Sequence, residues 1–72
     1  MPDYTLHIQV GKRIQKLREL QGLSQQDLAA KCNFEKSNMS RLEAGRVNST
    51  LSTIEKVAKA LNVEVGEIFT FK

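Results

Sequence analysis

The chain has very few of the residues that carry covalent or metal chemistry. Its 72 residues include one cysteine, Cys32, and one histidine, His7. A single cysteine makes no intramolecular disulfide, which excludes a secreted disulfide scaffold. His7 has no Asp or Cys at a useful spacing, and no His/Cys cluster offers zinc ligands. Cys32 falls at a predicted core position without a basic environment, so it is expected to be buried and inert rather than a nucleophile. No glycine-rich phosphate loop is present. Catalysis is therefore not expected, and no cofactor or metal is implied. There is no tryptophan, and Pro2 is the single proline. No apolar run approaches the roughly 18 residues of a membrane span, and no signal-peptide pattern opens the chain. These absences point away from a membrane and towards a cytoplasmic compartment.

What is there fits one small soluble domain over residues 1–72, with 40% hydrophobic and 26% charged residues. Eleven Lys and Arg against eight Asp and Glu give a net charge of +3. As a total this is weak evidence for a polyanionic partner, but its distribution is informative. Residues 11–23 hold Lys12, Arg13, Lys16 and Arg18 against Glu19, whereas residues 51–72 hold three charges of each sign. The excess lies in the first two-thirds of the chain.

The hydrophobic pattern has mostly the helical period, so the expected fold class is all-α, a bundle of four to five helices. Leu6, Val10, Ile14 and Leu17 form one stripe, which predicts a first helix from about Leu6 to a stop near Gly22. Tyr4, Leu6, Ile8 and Val10 also alternate as a strand would, which is the rival reading of its start. Ser24-Gln25-Gln26-Asp27 has the form of a capping box, with Leu23 and Leu28 as a hydrophobic staple. The short second helix should turn Leu28, Ala29 and Cys32 inward. Asn33 is the expected turn pivot because asparagine tolerates positive φ. A third helix is expected over about 35–44, closed by Gly45, and a fourth carries Leu51, Ile54, Val57, Ala58 and Leu61, capped by Thr50 or Ser52. A last short helix should hold Val65, Ile68 and Phe69, with Phe71 beyond.

Two short helices joined by a three- or four-residue turn make a helix-turn-helix. On the third helix, helical projection sets Met39, Leu42, Glu35 and Glu43 on one side and Ser37, Ser40, Arg41 and Ala44 on the other, with Lys36 near its start. A small polar face with an arginine can approach a major groove, where Ser and Thr bond either base type and Arg prefers guanine. The alternative is a plain solvated face. Arg18 and Glu43 each flank an inward stripe, and they are expected to pair at the edge of the core.

From Gly11 to Ile68 the sequence resembles the helix-turn-helix family of phage repressors and Cro proteins, the XRE family. The resemblance rests on Gly11-Lys12-Arg13-Ile14 with Leu17-Arg18, and on Gly22-Leu23-Ser24-Gln25-Gln26-Asp27-Leu28-Ala29. It continues in Ser37-Asn38-Met39-Ser40-Arg41-Leu42-Glu43-Ala44-Gly45, and in Leu51, Ile54 and Val57-Ala58-Lys59-Ala60-Leu61. It implies a transcriptional regulator that binds double-stranded operator DNA, usually as a two-fold homodimer on a near-palindrome. Gln25 matches the glutamine that bonds a phosphate. Lys36, Ser37 and Arg41 fall on base-reading positions, with Asn38 and Ser40 as backbone or flanking contacts. Arg46 matches the phosphate-gripping loop, and Arg18 with Glu43 the internal salt bridge. Three positions depart from the pattern. Asn33 replaces a turn glycine, Ser49 a common proline, and Glu35 the usual Ser or Thr cap; Glu35 is not expected to touch DNA.

Short members of this family dimerise through their last helices, here about 51–71. The apolar tail of Val63, Val65, Ile68, Phe69 and Phe71 is the expected interface, against the alternative that it closes the monomer's bundle. The resemblance leaves two other readings open. One is an antitoxin that binds a toxin protein and represses its own promoter. The other is the controller protein of a restriction–modification system. Contact with RNA polymerase would accompany repression or activation alike.

Overall fold

The computed structural model describes residues 5–71, which form five helices. They are α1 (Thr5–Leu20), α2 (Gln25–Cys32), α3 (Lys36–Glu43), α4 (Leu51–Leu61) and α5 (Val65–Ile68). α1 packs on α3, α4 and α5, and α2 packs on α3 and α4. The architecture is the all-α bundle that the helical periodicity predicts.

The strand-like alternation at the start of α1 is helical from Thr5 onward, while Tyr4 lies outside the described residues. Val10, Ile14 and Leu17 of its stripe are buried, but Leu6 is 51% exposed. The stripe is longer than the core it faces, so its first member projects past the bundle. α1 ends in a Schellman turn. The Leu23 N–H donates to the Arg18 carbonyl at 3.1 Å, and the Gly22 N–H to the Glu19 carbonyl at 3.0 Å. This turn lays Leu23 against the core.

The capping box of α2 is complete. The Ser24 hydroxyl accepts the Asp27 N–H, and the Asp27 carboxylate accepts the Ser24 N–H, both at 3.0 Å. Leu28, Ala29 and Cys32 are buried. Asn33 has φ 60° and lets the Phe34 N–H reach the Ala29 carbonyl at 2.8 Å, so asparagine performs the turn in which the family pattern has glycine. α3 follows after three residues, with Met39 fully buried. Glu35, expected on the same side as Met39, is exposed. It is the N-cap, with extended φ and ψ, so the helical projection does not apply to it.

α3 lies almost in backbone contact with α1. A Cβ on Gly11 would stand 2.4 Å from the Glu43 carbonyl oxygen, and one on Gly45 would stand 2.7 Å from the Ile8 Cα. Two glycines therefore set how deeply the third helix seats against the first.

Thr50 is the cap of α4: its hydroxyl accepts the Thr53 N–H at 3.1 Å. Ile54, Val57, Ala58 and Leu61 are buried, whereas Leu51 is 80% exposed. Helical side chains tilt towards the N-terminus, which swings this first-turn residue beyond the core. Asn62, with φ 58°, ends α4 as Asn33 ends α2. α5 then returns to α1, where Arg13 Nε donates to the Glu67 carbonyl at 2.8 Å and its Nη2 to the Glu67 carboxylate at 3.0 Å. Ile68, fully buried, seals this end of the core.

Candidate nucleic-acid interface

The turn between α2 and α3 holds the two helices against each other, with α3 seated on α1 and its outer face turned to solvent. Lys36, Ser37, Asn38, Ser40, Arg41 and Ala44 are all exposed. The sequence-predicted reading residues thus lie on one accessible face. Within it, Arg41 Nη2 donates to the Asn38 side-chain oxygen at 2.5 Å, an i, i+3 contact that restrains the guanidinium. Glu35, at the start of the same helix, makes no capping bond.

Behind this face lies a buried charge network. Arg18 and Glu43 are 8% and 6% exposed. Arg18 Nε donates to Glu43 Oε2 at 2.7 Å, and Arg18 Nη2 to Glu43 Oε1 at 3.0 Å, a forked pairing. Arg18 Nη1 also donates to the Leu23 carbonyl at 2.7 Å, which ties the pair to the segment leading into α2. Hydrogen bonding to Glu43 pushes the Arg18 pKa still higher than its ordinary value, so the guanidinium stays charged at any accessible pH. Gln25, the first residue of α2, is half-buried and donates from Nε2 to Glu43 Oε1 at 3.0 Å. The bond from Gln25 to Glu43 was not legible in the sequence, because the two lie 18 residues apart and meet only when α2 and α3 fold together.

Arg46 is exposed just beyond α3, and its N–H donates to the Arg41 carbonyl at 3.0 Å. It lies at the same end of α3 as Arg41. Val47 packs on the core and anchors the following loop, in which Ser49 is partly buried. Cys32 is buried, and burial raises its pKa, so the thiol is held protonated and unreactive.

The expected dimer residues divide. Ile68 belongs to the monomer's own core and presents nothing to a partner. Val63 and Phe71 are partly buried against that core. The physical reason is size: a bundle this small needs its last helix to close itself. Val65 and Phe69 remain exposed, and Phe69 meets Phe71 edge to face at 6.5 Å between ring centres. The sequence pattern assigned Leu6 and Leu51 to the core. Both are instead exposed, and with Phe69 they line an apolar groove of about 200 Å³ floored by Val10, Leu42 and Ile54. His7 Nε2, at its edge, lies 3.4 Å from the Asn48 side-chain oxygen.

A capped α2, a left-handed turn and an exposed polar α3 define a helix-turn-helix protein. The sequence pattern of the family described as "Helix-turn-helix" matches residues 14–68, and the chain belongs to that family of DNA-binding transcriptional regulators. It is 42% identical over 59 residues to the immunity repressor of Bacillus phage phi105, covering 82% of this chain and 41% of that protein. It is 32% identical over 66 residues to the control protein C.MunI of a Mycoplasma species, covering 90% of this chain and 89% of that one. Among solved structures, the restriction–modification controller protein C.AhdI from Aeromonas hydrophila superposes with a TM-score of 0.88. It is 36% identical, and the match covers 92% of this chain and 96% of that one.

Proposed function

We propose that residues 1–72 act as one DNA-reading domain that binds a near-palindromic operator as a homodimer, with α3 in the major groove. The observation that carries this reading is the exposed polar face of α3 held on a buried, fully bonded ion pair. Arg41, Lys36 and Ser37 read base edges, Asn38 and Ser40 make flanking contacts, and Gln25 and Arg46 bond phosphates. The chain works in the cytoplasm and has no catalytic step. Among the described residues no group of His, Cys, Asp and Glu is placed to hold a metal, and no helix is long and apolar enough to cross a membrane.

Selection of bound sites from random duplexes, followed by binding curves on the winning sequence, tests the reading. Arg41→Ala is expected to cost about 1–3 kcal/mol on the selected site and to relax one base position. Arg46→Ala should weaken selected and random DNA alike and lower the salt slope by about one. Identical behaviour of the two variants on both kinds of DNA would overturn the base-reading assignment.

One observation favours a narrower role. The controller proteins C.MunI and C.AhdI match this chain over nearly their whole lengths, whereas the chain spans 41% of the phage repressor. That likeness, at 32% and 36% identity, supports control of a restriction–modification system. A restriction enzyme or methyltransferase gene beside this one would support that role; a toxin gene in its place would favour the antitoxin reading.

The groove lined by Leu6, Leu51 and Phe69, with Val65 exposed on α5, is the surface that a second copy would cover. A two-fold pair should hold its recognition helices about 34 Å apart, one turn of duplex.

A further inference from the structure

The buried ion pair has a third member. Glu43 Oε1 accepts from both Arg18 Nη2 and Gln25 Nε2 at 3.0 Å, while Glu43 Oε2 accepts from Arg18 Nε at 2.7 Å. Gln25 opens α2 and is half-buried, so its carboxamide sits at the rim between core and solvent. A free carboxamide offers either its oxygen or its nitrogen to a neighbour, and the two are related by a half-turn of the last bond. Beside Glu43 that choice is removed. The oxygen would face a buried carboxylate with like partial charge, whereas the NH2 makes a charge-assisted bond. Arg18, forked onto both carboxylate oxygens, keeps Glu43 from turning to suit the glutamine. Glu43 takes one of the two amide hydrogens and leaves the other available.

We infer that Glu43 is a positioning residue for DNA binding: it fixes the Gln25 carboxamide so that a free N–H is already on offer when a phosphate arrives. This rests on the reading above that Gln25 bonds a phosphate. Pre-turning the amide avoids an ordering cost at the moment of binding.

A double-mutant comparison in the full chain tests it, with Kd measured on the selected duplex and folding verified by circular dichroism at the assay temperature. Gln25→Ala is expected to weaken binding about tenfold in the native background, the order expected for a hydrogen bond to a charged group. In an Arg18→Met/Glu43→Met background, where apolar side chains replace the pair, Gln25→Ala should cost less than about threefold. Arg46→Ala should keep its full cost in both backgrounds, which a general displacement of α3 would not allow. Equal losses from Gln25→Ala in both backgrounds overturn the positioning role and leave the phosphate contact standing. Loss of the Arg46→Ala effect as well overturns it in favour of a purely structural pair. No effect of Gln25→Ala in the native chain overturns the contact and its positioning together.

If the double variant does not fold, nuclear magnetic resonance of the native chain decides. The Gln25 side-chain NH2 should show one restrained, slowly exchanging hydrogen. Two hydrogens that both exchange with water as fast as those of exposed Gln26 overturn the inference.

Discussion

Single residues in this protein carry roles out of proportion to their number. Arg18 and Glu43 are the only buried charged residues among those described, and each satisfies the other. Removing one partner strands the other, which costs about 3–5 kcal/mol, whereas replacing both by apolar groups of similar size is often close to neutral. Glu43→Ala is therefore expected to lower the melting temperature by more than about 10 °C. Arg18→Met/Glu43→Met should recover most of that loss. Calorimetry of the native chain and the two variants checks it, and a single variant that melts like the native chain would show the pair to be energetically idle. Cys32 provides a second residue-scale prediction. Being buried and held protonated, it should react with a thiol reagent only at the rate of unfolding, so adding denaturant should accelerate the reaction sharply.

At the scale of elements, the capping box decides where α2 begins and hence where Gln25 stands. Ser24→Ala should cost about 1 kcal/mol, measured by urea unfolding. Asp27 shares the box. The Ser24 backbone N–H, and then its hydroxyl, hold the Asp27 carboxyl below the usual carboxylate range. A carboxylate with a lowered folded-state pKa contributes stability that is present above its unfolded value and lost as pH falls through the folded one. The stability gap between the native chain and Asp27→Asn should therefore close as pH drops below about 4. A gap that stays constant down to pH about 2 would count against the box. The seat of α3 on α1 is set just as locally. Gly11→Ala places a methyl group 2.4 Å from a main-chain oxygen, so α3 must shift, and both stability and DNA affinity should fall.

The whole molecule shows how a small chain divides its apolar residues. Ile68 closes the core, while Leu6, Leu51 and Phe69 form an exposed groove. The two sets should respond differently. Ile68→Ala is expected to cost about 2–5 kcal/mol of unfolding free energy. Leu51→Glu should leave a dilute monomer's melting temperature nearly unchanged, yet convert a sedimenting dimer to monomer and weaken operator binding. Native chain that sediments as a monomer at high micromolar concentration would remove the paired reading.

Much of this molecule is written in the linear sequence, because the signals are local. The helical period marked out the helices, Ser24 and Asp27 set the start of α2, and Asn33 gave the turn. The polar face of α3 was legible because it alternates with Met39 and Leu42 at helical spacing. Helical projection also brought Arg18 and Glu43 to the edge of the core. Tertiary structure alone decided where each stripe ends. Leu6 and Leu51 have the same period as their buried neighbours, but a core of finite size stops short of them. It likewise drew Ile68 inside, exposed Glu35 at a helix cap, and joined Gln25 to Glu43. Periodicity describes one helix at a time. Burial, and the hydrogen bonds that only burial permits, depend on what the other helices cover.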